Sequence, residues 1–203
     1  MPEITTSLPL LAGVALAAYL LGAVPFGIVM ARLFGLGDLR TIGSGNIGAT
    51  NVLRTGNKLA AFLTLILDAG KGGIAVLLAR AIAGEDAAQI AGACAFFGHL
   101  FPVYLRFKGG KGVATYLGTL LALSWPVGLA CCATWLVTAA LFRYSSLSAL
   151  VAAASGAIWA VVLGTPAVAV LSALLAVLVF WRHSENIVRL RSGTETKIGK
   201  ISA

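Results

Sequence analysis

The sequence predicts an all-α, polytopic integral membrane protein of about seven transmembrane helices, and three observations carry that prediction. Hydrophobic residues make up 59% of the 203, and charged residues only 11%. A soluble domain carries about 25% charge, so this chain has too little polar surface to cover a globule in water. The apolar residues fall in long runs, not in the alternating segments of about ten residues that a membrane β-barrel needs. The net charge is nevertheless +8, and the cations that produce it are gathered in a few linkers. The same composition excludes intrinsic disorder outside the C-terminal tail.

A spanning helix needs about 20 mostly apolar residues, and backbone in lipid must satisfy its own hydrogen bonds. The first run, residues 8–34, exceeds that length. The first charge is Glu3, where a secretory signal would carry a basic region, so the run reads as a retained span. Residues 59–83 form the second, interrupted by Asp68 and Lys71, and 88–105 the third. The run 113–124 is short, rising only about 18 Å as a helix. It reads either as half-embedded or as continuous with 127–142 through a kink at Pro126. Residues 147–163 and 167–181 complete the set, so 1–191 is one transmembrane helical domain and 192–203 a polar, loose tail. Cys94, Cys131 and Cys132 lie in apolar runs without metal spacing and read as small core or lipid-facing residues.

With seven spans the linkers alternate sides, and the cations then sort. One side receives Arg32, Arg40, Arg54, Lys58, Arg106, Lys108, Lys111, Arg143, Arg182, Arg189, Arg191, Lys197 and Lys200. The other receives Glu3, Glu85 and Asp86, with only Arg80 nearby. Excess Lys and Arg marks the cytoplasmic side, which puts the N-terminus outside and the C-terminus in the cytoplasm. An even number of spans would scramble the sorting. The outer linkers are tiny and the inner ones long and glycine-rich, so loop-borne chemistry is expected on the cytoplasmic face.

Three inner segments carry that chemistry. The first runs from Arg40 to Lys58 and combines glycines, small hydroxyl and amide residues and spaced cations. Glycines let backbone N–H groups converge on an anion, and a short helix starting near Ile47 would aim its free N–H groups at the Ser44-Gly45-Asn46 turn. On that helix Asn51 and Thr50 both share a face with Arg54. A flexible loop with cytoplasmic charges is the rival reading, and the composition favours phosphate. In the second, Lys108 and Lys111 bracket Gly109-Gly110 and Gly112 follows. It is no nucleotide P-loop, because the motif spacing and its hydroxyl are absent, but phosphate cradling remains open. His99, upstream, reads as a base, a phosphate donor or a helix-end histidine satisfied by a carbonyl. In the third, Trp181 to Arg191, His183 and Asn186 are three apart and face one way if the helix continues. Basic anchors on anionic lipid explain part of this segment but do not require His183, Glu185 or Asn186.

Asp68 lies about 14 Å inside the second span at helical rise. An ionisable residue at that depth is costly and faces protein, water or a partner. It pairs with Lys71 at i,i+3, as support for a site or as a structural ion pair; the former is favoured. Ser145 and Ser146 close a short inner loop and either join the same site or cap a helix.

Taken together these segments resemble one family. Ser44-Gly45-Asn46-x-Gly48-Ala49-Thr50-Asn51 with Arg54, Gly98-His99-x-Phe101-Pro102, Phe107-Lys108-Gly109-Gly110-Lys111-Gly112-Val113-Ala114-Thr115 and His183-x-Glu185-Asn186-Ile187-x-Arg189-Leu190 are similar to the motifs of the bacterial acyl-phosphate-dependent glycerol-3-phosphate acyltransferases (PlsY). Asp68-x-x-Lys71-Gly72 fits as well, and the match runs from the first span to Lys200 in the same order. The resemblance implies that the acyl group of an acyl phosphate moves to the sn-1 hydroxyl of glycerol 3-phosphate, giving lysophosphatidate and phosphate at the bacterial inner membrane. Bottom-up features agree. Two phosphate-bearing substrates suit two glycine-and-lysine loops, and a fatty donor suits a site at a membrane face.

No Ser-His-Asp or Cys-His elbow is visible, so no covalent intermediate is expected, and catalysis reduces to positioning and charge stabilisation. Ser44, Gly45, Asn46, Thr50, Asn51 and Arg54 are expected to hold one phosphate, and Lys108, Gly109, Gly110, Lys111 and Gly112 the other. His183, aided by Glu185 and Asn186, orients the attacking hydroxyl or takes its proton. His99 is the rival base and a substrate phosphate oxygen a third. Asp68, Lys71, Ser145 and Ser146 are supporting residues. The partners are the two substrates and membrane lipid; no cofactor, metal or nucleic acid is called for, and the oligomeric state is left open. The lysines and arginines supply the positive charge that Mg²⁺ would, so activity is expected to survive chelation with EDTA in full; complete loss would refute this. The competing function is transport of an organic phosphate, which would explain seven spans, the intramembrane Asp68 and Lys71 and the anion-binding loops. But a transporter shows polar residues on both sides of the midplane, often in paired broken helices, and here they gather almost entirely at one face.

Overall fold

The computed structural model describes residues 2–199, and among these every regular element is helical. Ten α-helices follow in order: α1 (Leu8–Gly22), α2 (Phe26–Leu33), α3 (Ala49–Leu53), α4 (Lys58–Ala83), α5 (Glu85–Leu100), α6 (Val113–Leu123), α7 (Trp125–Phe142), α8 (Ser145–Val162), α9 (Pro166–Arg182) and α10 (Ser184–Arg191). Five stretches are long and apolar enough to cross a membrane: Leu8–Leu33, Lys58–Ala83, Glu85–Leu105, Trp125–Phe142 and Ser145–Val162. A sixth is the pair α9 and α10, bent by 64°. Val113–Leu123 is shorter.

The first span is not one straight helix. It breaks over residues 23–25 because Pro25 has no N–H to continue the ladder. At the break the Val24 carbonyl accepts from Phe26 N at 3.1 Å, and Lys71 Nζ from α4 donates to it at 2.9 Å. Nor are α6 and α7 one helix kinked at Pro126. They are separated by an extended Ser124, with Pro126 in the first turn of α7, and Gly128 packs back onto the Leu121 backbone. The chain therefore reverses there.

Helices approach closely where glycine removes the side chain, as is common in membranes. On α1 and α5, a Cβ at Gly22 would lie 2.0 Å from the Ala95 carbonyl oxygen, and one at Gly98 would lie 2.2 Å from that of Tyr19. On α4 and α6, a Cβ at Gly118 would lie 2.0 Å from the Ala69 carbonyl oxygen. The largest core cluster joins α5, α6, α7, α8 and α9 around Phe96, Leu100, Tyr116 and Leu175. Within it the buried Tyr116 hydroxyl pairs with Ser172 Oγ at 2.8 Å. Gly118→Val forces α4 and α6 apart. Overpacking of this kind costs about 1–3 kcal/mol, so the melting temperature in detergent is expected to fall by several degrees. An unchanged melting temperature would contradict the close crossing.

These crossings matter for function because they fix α4, α6 and α8 around a common space at one end of the bundle. All the inner segments converge on that end.

Candidate active site

Segments far apart in the sequence meet in one cavity of about 360 Å³. The first segment lines it with Ser44, Asn46, Thr50, Asn51 and Arg54, the second with His99, Lys111 and Gly112. Ser145 and Ser146 come from the start of α8, His183 and Asn186 from the bend between α9 and α10, and Asp68 from α4. Apolar residues form the remaining wall, chiefly Leu65, Val113, Leu117, Leu121, Trp135, Leu136 and Ala149.

Asn51 organises the first segment. It is buried, and its Nδ2 donates to the Leu39 carbonyl at 2.8 Å. Its Oδ1 accepts from Ser44 N at 3.1 Å and from Arg54 Nη1 at 3.3 Å. The loop is thus wrapped around one amide, with Gly43 and Gly45 at positive φ supplying the turn. Arg54 reaches the cavity half-buried, and burial lowers its pKa. Thr50 Oγ1 and Ser145 Oγ hydrogen-bond at 3.0 Å, joining α3 to α8.

The expected helix near Ile47 is only Ala49–Leu53, five residues. So short a helix carries little dipole, and the anion-binding reading shifts from its N-terminus to the side chains of Ser44, Thr50 and Arg54. Gly45 turns the loop and does not line the cavity.

The double glycine is likewise not a cradle. Gly109 N donates to the Leu100 carbonyl and Gly110 N to that of His99, both at 3.1 Å. The carbonyls of Gly110 and Gly109 accept from Arg182 at 3.1 and 2.9 Å. Their N–H groups are spent on α5, so neither amide faces a ligand. A Cβ at Gly110 would lie 2.3 Å from His99 Nε2, so the pair lets the loop lie flat on the imidazole. Lys108 is exposed and outside the cavity. Lys111 alone of the bracketing lysines enters it, donating to Asn186 Oδ1. Burial, then repulsion from Arg189, lowers its pKa to about 8.

The chain bends at His183, yet His183 and Asn186 still line the same cavity. His183 Nδ1 lies 2.8 Å from the Val179 carbonyl oxygen. A carbonyl only accepts, so the hydrogen-bond network assigns the proton to Nδ1 and leaves the Nε2 lone pair free. Glu185 points away: its side chain is 85% exposed and lies 3.8 Å from Arg189. Asp68 and Lys71 form a buried ion pair at 2.7 Å, and His99 Nδ1 lies 3.6 Å from the same carboxylate. Lys71 does not line the cavity, whereas Asp68 and His99 do. The pair therefore links the α1–α2 break, through Lys71, to the cavity wall.

Glu195 is the residue that sequence reasoning missed. It comes from the tail, where looseness was expected, yet its side chain is only 7% exposed. It accepts from Ser146 Oγ at 2.7 Å, Asn186 Nδ2 at 2.6 Å and Arg189 Nε at 2.7 Å. Those bonds hold its pKa below the usual carboxylate value against the opposing effect of burial. Ile198 N donates to the Arg143 carbonyl at 2.7 Å, so residues 195–198 are strapped across the cavity rim. The sequence signal was slight: one acid standing among tail cations. Lys200 and the rest of 200–203 lie outside the described residues.

Chemically, the cavity offers the cations Arg54 and Lys111, five hydroxyls, three amides and the neutral imidazole of His183, with Asp68, His99 and Glu195 also in its lining and an apolar wall running down α6 beyond Lys111. Such an arrangement has the chemistry to take a phosphate and an alkyl chain side by side.

The glycerol-3-phosphate acyltransferase family model matches residues 12–193. A glycerol-3-phosphate acyltransferase of Jannaschia sp. (strain CCS1) is 70% identical over 202 residues, covering 100% of each chain. One of Cereibacter sphaeroides (strain ATCC 17025 / ATH 2.4.3) is 65% identical over 200 residues, covering 98% of this chain and 95% of that one. Among solved structures, PlsY (YgiH), an integral membrane glycerol 3-phosphate acyltransferase in its glycerol 3-phosphate form, superposes with a TM-score of 0.88 at 41% identity, covering 93% of this chain and 96% of that chain. Its lysophosphatidic acid form gives 0.86 at 40% identity, covering 93% and 95%.

Proposed function

The chain belongs to the glycerol-3-phosphate acyltransferase family, and from that membership we propose a direct transfer, in which an acyl phosphate gives its acyl group to the sn-1 hydroxyl of glycerol 3-phosphate. The single observation that carries the reading is the cavity's division. Cations and hydroxyls gather at one end, and an apolar wall formed by Val113, Leu117 and Leu121 runs on from Lys111. From Val113 to Leu121 is about 12 Å at helical rise, enough for much of a fatty chain.

The acceptor's hydroxyl oxygen attacks the acyl carbonyl carbon. The bond from that carbon to the phosphate oxygen breaks, and inorganic phosphate leaves with the electron pair. The hydroxyl proton passes to His183 Nε2 or to a phosphate oxygen. Arg54, Ser44 and Thr50 hold one phosphate and Lys111 the other, so charge on the leaving phosphate is stabilised as it develops. Asn186 orients Lys111. His99 and Asp68 support the wall beneath. Acyl phosphate needs no further activation, so no enzyme nucleophile is required; a stable acyl-enzyme trapped on Ser44 or Ser145 would overturn direct transfer.

For topology we infer seven crossings, with α1–α2 as one broken span and α6 short. The N-terminus is outside, and the site faces the cytoplasm at the bacterial inner membrane. The tally of inner cations supports this sidedness, since Arg54, Lys111 and Arg189 all surround the cavity end of the bundle. Cysteine labelling of intact cells at Ser7→Cys and Ser192→Cys tests it: only the first is expected to react.

A pH dependence follows from Lys111. Its pKa of about 8 lies below that of a free lysine, so it is charged below pH 8 and neutral above. Phosphate binding needs the charge. The free protein's titration appears in kcat/KM, which is expected to fall about tenfold per pH unit above pH 8. Lys111→Arg, which stays charged throughout, is expected to abolish that limb. An unchanged limb would mean that another group sets it.

A further inference from the structure

A second cavity, of about 290 Å³, lies between the tail strap and the corner where α3 leads into α4. Its walls include Arg54, Lys58 and Lys197, with hydroxyls from Thr50, Ser145 and Thr196, and no acid among the described lining residues. Three cations and three hydroxyls repeat the donor chemistry of the larger cavity. Phosphate suits such a set better than a carboxylate does, because it offers more acceptor oxygens and up to two charges.

The two cavities share a wall. Thr50, Arg54, Ser145 and Thr196 line both, and the Thr50–Ser145 hydrogen bond of 3.0 Å lies on that partition. Two exchangeable hydroxyls are a slight barrier, and each can re-pair with an anion's oxygen. The outer wall is held rather than floating. Glu195 ties the strap to α8 and α10, and Ile198 ties it to Arg143. Lys197 Nζ sits 5.5 Å from the Tyr144 ring centre, a cation–π distance that keeps the ammonium at the cleft.

Such an opening would serve the reaction. Its lipid substrate and product keep their chains on the apolar side of the cavity. A soluble phosphate ester must enter from water, however, and inorganic phosphate must return to it. We propose that the second cavity is a phosphate port, in which Arg54, Lys58 and Lys197 bind phosphate dianions passing between water and the reaction cavity. Which dianion passes rests on the acyl-transfer reading; the binding itself does not.

The test uses the full chain in detergent. Equilibrium dialysis with radiolabelled inorganic phosphate is run on wild type, Lys58→Gln/Lys197→Gln and Lys58→Arg/Lys197→Arg. The Gln pair is expected to bind one phosphate fewer per chain than wild type, and the Arg pair to match wild type. Arg106→Gln removes a cation outside both linings and is expected to change nothing. Equal stoichiometry in wild type and the Gln pair, or the same loss in Arg106→Gln, would overturn the port. Both changed lysines are exposed, and matching melting temperatures exclude misfolding as the cause. In turnover, the Gln pair is expected to raise the inhibition constant of inorganic phosphate or the KM for glycerol 3-phosphate about tenfold, near the loss of one charge-assisted contact, with the KM for acyl phosphate unmoved. A rise in the first supports exit and in the second entry; neither moving overturns passage. If wild type makes no lysophosphatidate, the acyl-transfer reading fails while dialysis still decides the site.

Discussion

Lys111→Met is expected to lower kcat/KM for glycerol 3-phosphate acylation by about 10²–10³-fold. Lys111 is the only residue of its glycine-rich loop whose ammonium enters the cavity. Removing one partner of a desolvated charge pair costs about 2–5 kcal/mol, and each 1.4 kcal/mol is about tenfold. The substitution acts twice: it deletes the contact to phosphate, and it leaves Asn186 Oδ1 without its donor. Methionine keeps the length of the stem, so packing of the loop against His99 is unaffected. Kinetics on the purified variant, alongside its melting temperature, check this. Activity within threefold of wild type would show that Lys111 only orients the chain in the membrane.

The second large effect is at His183. His183→Ala is expected to lower kcat by about 10²–10⁴-fold, the usual contribution of a positioned acid–base group, with little change in the KM for glycerol 3-phosphate. The reason is the Nδ1 contact to the Val179 carbonyl, which sets the tautomer and leaves Nε2 able to accept the hydroxyl proton. His99 is the rival. It is buried beneath Gly110 and beside Asp68, so His99→Ala is expected to act through packing, with a lower melting temperature as its mark. Near-normal turnover by His183→Ala would make that residue structural and pass the role to a phosphate oxygen.

Much of this was legible in the sequence for one physical reason: lipid imposes long apolar runs, so polar residues that survive must have work to do. The helices and the polar face followed from hydropathy and cation sorting. Ser44, Arg54 and Lys111 stood out by their glycine-rich setting, and His183, Glu185 and Asn186 because a basic anchor does not require them. The illegible parts depend on contacts between distant positions. Gly109 and Gly110 look like a cradle locally, and only the fold shows their N–H groups committed to the end of α5. Glu195 looks like a loose-tail residue, because its partner Ser146 lies 49 positions away. The break near Pro25 is tied to the rest of the bundle by Lys71, which arrives from another helix. Glu185, chosen for its place in a motif, turns outward since α10 starts only after the bend at His183.

On this reading one cavity brings acyl phosphate and glycerol 3-phosphate together. This is tested most directly by mixing the purified protein, in detergent and without any membrane gradient, with palmitoyl phosphate and labelled glycerol 3-phosphate. Labelled lysophosphatidate and inorganic phosphate are expected in equal amounts, with no lysophosphatidate formed when acyl-coenzyme A replaces the acyl phosphate. Absence of lysophosphatidate, with uptake of label into vesicles carrying the protein, would contradict this reading and favour a transporter.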